Sequence, residues 1–259
     1  MSVMPSVPPP AAPAAHTPLT VAQAAAWAQT LGLPRLDVQV LLLHALSRAL
    51  HDRAWLLAHG DDLLDTTAQT TFAAHAQRRL NTEPVAYITG QKEFFGLTLH
   101  VDHRVLDPRA DTETLVEWAL SCLADTPSPD VMDLGTGSGA IALSLKHTRP
   151  DAQVCAVDAS ADALAVASAN AERLALPVDF HHGSWLAPLN GRTFDAIVSN
   201  PPYVASDDVH LAALKHEPLS ALASGADGLD DIRMIVREAT QHLKPNGWLL
   251  IEHGYDQAH

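Results

Sequence analysis

Residues 131–139 constrain the fold more than any other stretch of this chain. Val131-Met132-Asp133-Leu134 is a short apolar run, and Gly135-Thr136-Gly137-Ser138-Gly139 carries it straight into the helical pattern Ala140–His147. A strand that passes through a glycine-rich turn into a helix is the opening unit of a doubly wound α/β domain. Glycines there let a ligand approach the backbone, and the helix start offers unpaired N–H groups. The alternation continues downstream. Val154–Asp158 reads as a second strand followed by the helix Ala161–Leu174, and Val178–His181 and Phe194–Ser199 read as the third and fourth strands. A helix over Ile232–Leu243 then leads through Lys244-Pro245-Asn246-Gly247 into the strand Trp248–Glu252. Such a pattern predicts a mostly parallel sheet wound on both faces.

Upstream the periodicity differs. Thr20 can cap a helix running to Leu31 with Gly32 as its stop, and Pro34 opens a second helix whose Val38, Leu41, Leu42, Ala45, Leu46 and Ala49 share one face. Shorter and longer helical patterns follow at Arg53–Ala58 and Thr67–Leu80. Residues 18–85 are therefore expected to form a small helical domain that presents the substrate. Glu93–Val101 reads as a hairpin turning at Gly96, within a linker at 86–108, and 109–259 as the catalytic domain. The Pro/Ala-rich stretch 1–17 is expected to be a disordered tail.

The formal charge is -14, from 16 Lys+Arg against 30 Asp+Glu. Non-specific nucleic-acid binding rests on cationic contacts to phosphate, so this balance argues against nucleic acid and toward a partner with a basic surface. No window approaches the roughly 18–20 apolar residues of a membrane span, and the N-terminus lacks the basic start of a secretory signal. Two cysteines, Cys122 and Cys155, make no disulfide framework. The expected address is the cytoplasm.

Two readings of the glycine turn compete. Asp158 ends the second strand, where its carboxylate can accept from both hydroxyls of a ribose, and Gly135-x-Gly137-x-x-Ala140 also satisfies the looser dinucleotide fingerprint. What separates them lies at the end of the fourth strand, in Asn200-Pro201-Pro202-Tyr203. The Asn200 side-chain carbonyl and the Pro201 backbone carbonyl are two fixed acceptors that can hold both hydrogens of a planar NH2 group. Holding them aims the nitrogen at an electrophile and favours pyramidalisation as a bond forms. Tyr203 can pack its ring on the flat group. Hydride transfer needs no such element, so the nicotinamide reading gives way.

With these residues in place, the chain resembles the S-adenosylmethionine-dependent amino-methyltransferases, and more closely the PrmC (HemK) family of peptide-chain-release-factor glutamine N5-methyltransferases. The resemblance runs from about residue 18 onward. It includes Arg35-Leu36-Asp37, Glu83–Gly90, Glu93-Phe94-Phe95-Gly96-Leu97, the segment Val105–Glu113, Glu217-Pro218 and Gly228-Leu229. It implies a Rossmann-like methyltransferase domain preceded by a helical bundle, with S-adenosyl-L-methionine as cofactor. Class 1 release factors would be the partner of a monomeric enzyme, methylated on the glutamine of a Gly-Gly-Gln motif. Gly135, Thr136, Gly137, Ser138 and Gly139 would wrap the methionine part, Asp158 would hold the ribose and Trp185 would lie beside the adenine. Asn200 would touch cofactor and substrate, and Asn200 through Tyr203 would grip the glutamine, with Asn200, Pro201 and Tyr203 as the catalytic group. Ser184 stands where the family usually carries an acid, and Ala110 replaces a frequent proline. Family members add two strands beyond Glu252, so Trp248–Glu252 is expected as an unpaired apolar edge of a shortened chain.

Adenine-N6 DNA methylation is the enzymatic rival, since it too needs two acceptors for a planar amine. The acidic balance and the lack of a basic, aromatic-studded recognition domain argue against it. A cofactor-binding scaffold without catalysis is the other alternative. No metal site is expected: His181 and His182 would point to opposite strand faces, and no ligand-spaced partner accompanies them. Cys155 reads as core, and Arg109 and Glu113 read equally as active-site border or surface ion pair.

Overall fold

The computed structural model describes residues 18–189 and 191–257; the expected tail at 1–17 lies outside them. The chain divides between Thr89 and Gly90 into two compact units.

The first unit holds α1 (Val21–Thr30), α2 (Arg35–Ala45), α3 (Arg53–Ala58), α4 (Thr66–Leu80) and α5 (Val85–Thr89). Thr20 and Gln23 form a reciprocal capping box on α1, and Asp65 caps α4 through the Ala68 amide. Val38, Leu41 and Leu42 of α2 meet Ala24 and Ala28 of α1 and Phe72 and Ala76 of α4 in a closed core. Trp27 packs edge-on against Phe72, and Asp37 pairs with Arg79 at 2.7 Å. Residues 85–89, which the sequence reading divides between bundle and linker, form a single helical turn after Pro84 whose Ile88 joins this core.

In the second unit, β1 (Gln91–Phe94) and β2 (Leu97–His100) form the expected antiparallel hairpin. It is no free connector. Fully buried Asn170 accepts from the His100 N–H, donates to the His100 carbonyl, and donates again to the Ser138 carbonyl in the glycine turn. After α6 (Thr112–Cys122), the strands β3 (Asp130–Leu134), β4 (Gln153–Asp158), β5 (Asp179–His182), β6 (Phe194–Ser199) and β7 (Leu243–Ile251) make a parallel sheet in the order β5-β4-β3-β6-β7. The connecting helices are α7 (Ala140–Thr148), α8 (Ala161–Leu174) and α9 (Asp230–Ala239). Strand β7 begins earlier than expected because Leu243 pairs with Phe194, which takes it out of the predicted helix. Among the described residues β7 has a neighbour on one side only, with Trp248 half-exposed on it.

The winding order positions the site. The chain runs outward from β3 to β5 and then returns to β6 on the other side of β3. The loops that leave the carboxyl ends of β3, β4 and β6 thus open at the topological switch point, where open α/β sheets bind ligands. No helix among the described residues is long and apolar enough to cross a membrane.

Candidate active site

A cavity of about 380 Å3 opens at that point, within the range of small-molecule sites. Gly135, Gly137, Asp158, Trp185, Asn200 and Pro202 all line it. Thr136, Ser138 and Gly139 stand behind this wall: Thr136 and Ser138 are buried, and Gly139 packs on Leu143 and Ala167. Pro201 is buried, while Tyr203 is half-buried with its hydroxyl donating to Glu252 Oε1 at 3.2 Å. Burial, and then the Glu252 charge, push the Tyr203 phenol up, so it stays protonated.

The glycine turn is braced from inside rather than left with free amides. The Gly135 and Thr136 N–H groups donate to the Val157 carbonyl, Gly139 N–H to the Thr136 carbonyl, and Gly137 N–H to Asp158 Oδ2 at 2.8 Å. Asp158 Oδ1 accepts from the Ser160 N–H at 2.8 Å. The Ala159 N–H also bonds this carboxylate, and of its roughly four lone-pair positions at least one remains for a ligand. Burial pushes the Asp158 carboxyl up, and these amide bonds oppose it. The Gly135, Thr136, Gly137 and Gly139 amides are thus engaged within the protein, and the turn offers room. A Cβ on Gly137 would meet no protein atom within 4 Å, whereas one on Gly135 would come 3.3 Å from the Trp185 ring. Trp185, at φ +46°, is fixed by its indole N–H, which donates to Asp231 Oδ1 at 3.2 Å.

Asn200 leaves β6 with its backbone anchored, because fully buried Ser199 donates to the Leu134 carbonyl at 2.8 Å and accepts from the Glu252 N–H. Its side-chain Nδ2 donates to Thr112 Oγ1 at 3.0 Å. The next turn is crowded. A Cβ on Gly228 would lie 2.2 Å from the Tyr203 carbonyl oxygen, so only glycine passes beneath the Asn-Pro-Pro-Tyr element there.

The segment before α6 is not the surface ion pair that sequence reasoning allowed. Arg109 donates to Glu217 Oε1 at 2.6 Å, and Glu217 Oε2 accepts from the Asp107 N–H, with both acids buried. Lys92 Nζ lies 3.1 Å from Asp107. Glu113 does not face Arg109. It accepts from the N–H of Phe95, which sits at φ +49° in the hairpin turn.

Four residues of the site were not legible in sequence: Asp133, Thr112, Asp231 and Glu252. Asp133 stands before the glycines, but nothing there signals that it is wholly buried with its carboxyl pushed up to about 7, burial outweighing bonds from Thr136 Oγ1 and the Ala142 N–H. Thr112 lies within the Val105–Glu113 segment of the resemblance, but nothing there marks its hydroxyl as a partner of Asn200. Asp231 and Glu252 each find their partners across long separations.

Among the described residues, Cys155, Asp179 and His181 are the one group spaced for a metal. Arg192 donates to Asp179 and lies 3.3 Å from His181 Nε2, so a guanidinium already occupies the position of a cation. Burial pushes the Cys155 thiol up to about 11.

A doubly wound parallel sheet with a glycine turn after its first strand, an acid after its second and Asn-Pro-Pro-Tyr after its fourth defines a methyltransferase of the α/β class. Residues 111–227 match the Methyltransferase small domain, and residues 18–90 match the PrmC N-terminal domain. The chain is 49% identical over 233 residues to a release factor glutamine methyltransferase of Xylella fastidiosa (strain Temecula1), covering 89% of this chain and 84% of that protein. The enzyme of the same name from Coxiella burnetii is 47% identical over 226 residues, covering 87% and 80%, and that from Bordetella pertussis 46% over 230 residues, covering 88% and 84%. The chain belongs to the release factor glutamine methyltransferase family.

Proposed function

We propose that this protein transfers a methyl group from S-adenosyl-L-methionine to the side-chain nitrogen of the glutamine in the Gly-Gly-Gln motif of class 1 release factors. The observation that carries the reading is the cavity with two unlike walls. One wall is the glycine turn with Asp158 and Trp185, and the other is Asn200 with Pro202.

The residues present fit the cofactor. Gly137 leaves space where a side chain would intrude, the remaining acceptor capacity of Asp158 suits a ribose hydroxyl, and Trp185 offers a flat ring for an adenine. When bound, S-adenosyl-L-methionine supplies an electrophilic methyl group on a sulfonium. The chain's own work is done on the nucleophile. An amide nitrogen is a poor nucleophile because its lone pair is delocalised. Asn200 Oδ1 and the Pro201 carbonyl would accept its two hydrogens and hold it where that delocalisation is weakest. The Tyr203 ring, tethered through Glu252, would cover the flat face of the carboxamide. The proton left after attack can depart to solvent, so no covalent enzyme intermediate is required. A charge of -14 favours encounter with a basic partner in the cytoplasm over encounter with nucleic acid. The enzyme would act as a monomer.

The test offers the purified chain and methyl-labelled cofactor three acceptors: a release factor, its Gly-Gly-Gln variant with Gln→Ala, and duplex DNA. Label on the first alone is expected. Label on DNA supports the adenine reading, label on the Gln→Ala factor removes the assigned acceptor, and cofactor binding without transfer leaves a scaffold.

A further inference from the structure

We infer that Thr112 is a positioning residue whose hydroxyl anchors the Asn200 amide with its oxygen toward the substrate. The inference rests on the glutamine-methylating reading above and names the group that gives it direction. An asparagine amide is nearly symmetric in shape, yet its two ends are chemical opposites. The oxygen accepts, and the NH2 donates. A site built to hold a substrate NH2 works only when the oxygen faces it. With the amide reversed, two donors would confront each other and the substrate would bind through its carbonyl instead.

In the structure the amide is anchored outside the cavity. The path of the backbone into Asn200 is fixed by Ser199, whose hydroxyl is bonded to the Leu134 carbonyl and whose own carbonyl takes the Glu252 N–H. What remains free is rotation of the amide itself. Nδ2 donates to Thr112 Oγ1 at 3.0 Å, and in that arrangement the NH2 end is held on α6 and Oδ1 is left for the ligand. Thr112 is a firm anchor, with only 4% of its surface exposed. It begins α6 directly after the segment tied down by Arg109, Asp107 and Glu217, and its neighbour Glu113 is bonded to the Phe95 N–H. These contacts give the Val105–Glu113 segment a function that no ligand contact of its own would supply. It carries an acceptor across 88 positions of sequence to the amide of Asn200.

Two variants and two readouts test the idea. Thr112→Val keeps the shape and removes the acceptor, and Thr112→Ser keeps the hydroxyl and removes a methyl group. Methyl transfer to a release factor is followed at steady state, with cofactor affinity from calorimetry. Hydrogen exchange of the Asn200 side-chain amide is followed by NMR, the signal being assigned by its loss in Asn200→Ala. For Thr112→Val we expect kcat to fall about 10- to 100-fold, as misplacement of a reacting group costs. Cofactor affinity should stay within about 2-fold, since the lost bond is not to the cofactor, and amide exchange should be faster. Thr112→Ser should restore kcat to within about 3-fold, because it keeps the acceptor. Wild-type kcat and unchanged exchange in Thr112→Val would overturn the inference, as would a Thr112→Ser variant as impaired as Thr112→Val. If the wild-type chain proves to methylate no release factor, the functional reading fails, and the exchange measurement still decides whether Thr112 holds the amide.

Discussion

Replacing Asp133 by Asn should change the pH dependence of stability in a way that can be calculated. The Asp133 carboxyl is completely buried between the first strand and the glycine turn. Its Oδ2 accepts from Thr136 Oγ1 at 2.7 Å and from the Ala142 N–H at 3.1 Å, and its Oδ1 has no hydrogen-bond partner. Two bonds on one oxygen do not offset the loss of water around a charge, and the nearby Asp158 adds repulsion, so the group titrates at about 7 instead of 3.8. Between those pH values the native state holds a proton that the unfolded chain has released, so stability falls as pH rises. Each pH unit costs about 1.4 kcal/mol, which sets a ceiling of about 4 kcal/mol across the window.

Asp133→Asn keeps an acceptor for Thr136 and Ala142 but cannot ionise. Its buried NH2 adds a fixed penalty of roughly 1–3 kcal/mol for an unpaired donor, independent of pH. The informative quantity is therefore the difference between the two stability curves, not either curve alone. Urea denaturation of both proteins at intervals from pH 4.5 to 8 should show the variant gaining on the parent up to about pH 7 and then keeping a constant offset. Parallel curves would mean that Asp133 is already ionised at pH 5, and the account of its burial would be wrong.

Two further expectations concern other parts of the chain. Asp158→Ala removes the brace on the Gly137 N–H together with the acceptor proposed for a ribose, so cofactor affinity should drop about 10- to 100-fold in calorimetry; unchanged affinity would take Asp158 out of the proposed cofactor site. In the helical unit the His44 and His75 rings lie tilted to each other with centroids 5.1 Å apart, and burial followed by neighbouring positive charge holds both below the ordinary imidazole value. The unfolded chain then binds protons that the folded unit refuses, so α2 and α4 should lose hydrogen-exchange protection as pH falls below about 6.5, with a shallower decline in His75→Gln; protection independent of pH would contradict the burial argument.

The parts of this molecule that were legible in sequence are those written in local pattern. Strand β6 ends where predicted because an apolar run meets Asn-Pro-Pro, and a proline pair cannot continue a ladder. Helix α1 starts where Thr20 and Gln23 can cap each other. The glycine turn and Asp158 fall at adjacent strand ends because both sit at the carboxyl ends of consecutive parallel strands. What could not be read depends on pairs far apart in the chain. Arg109 finds Glu217 across 108 positions, and nothing in either residue's surroundings announces the other. Glu113, one turn from Arg109 on paper, instead serves the hairpin. Nor could sequence show that four amides of the glycine turn are taken up by Val157, Thr136 and Asp158.

Asn170 shows what such distant pairing can do mechanically. One carboxamide fastens the hairpin to helix α8 and, through its second N–H, to the turn after β3. Both segments are held by the same side chain. A residue that lines no part of the cavity thus joins the hairpin to the turn that does, and a substitution there would loosen both attachments at once.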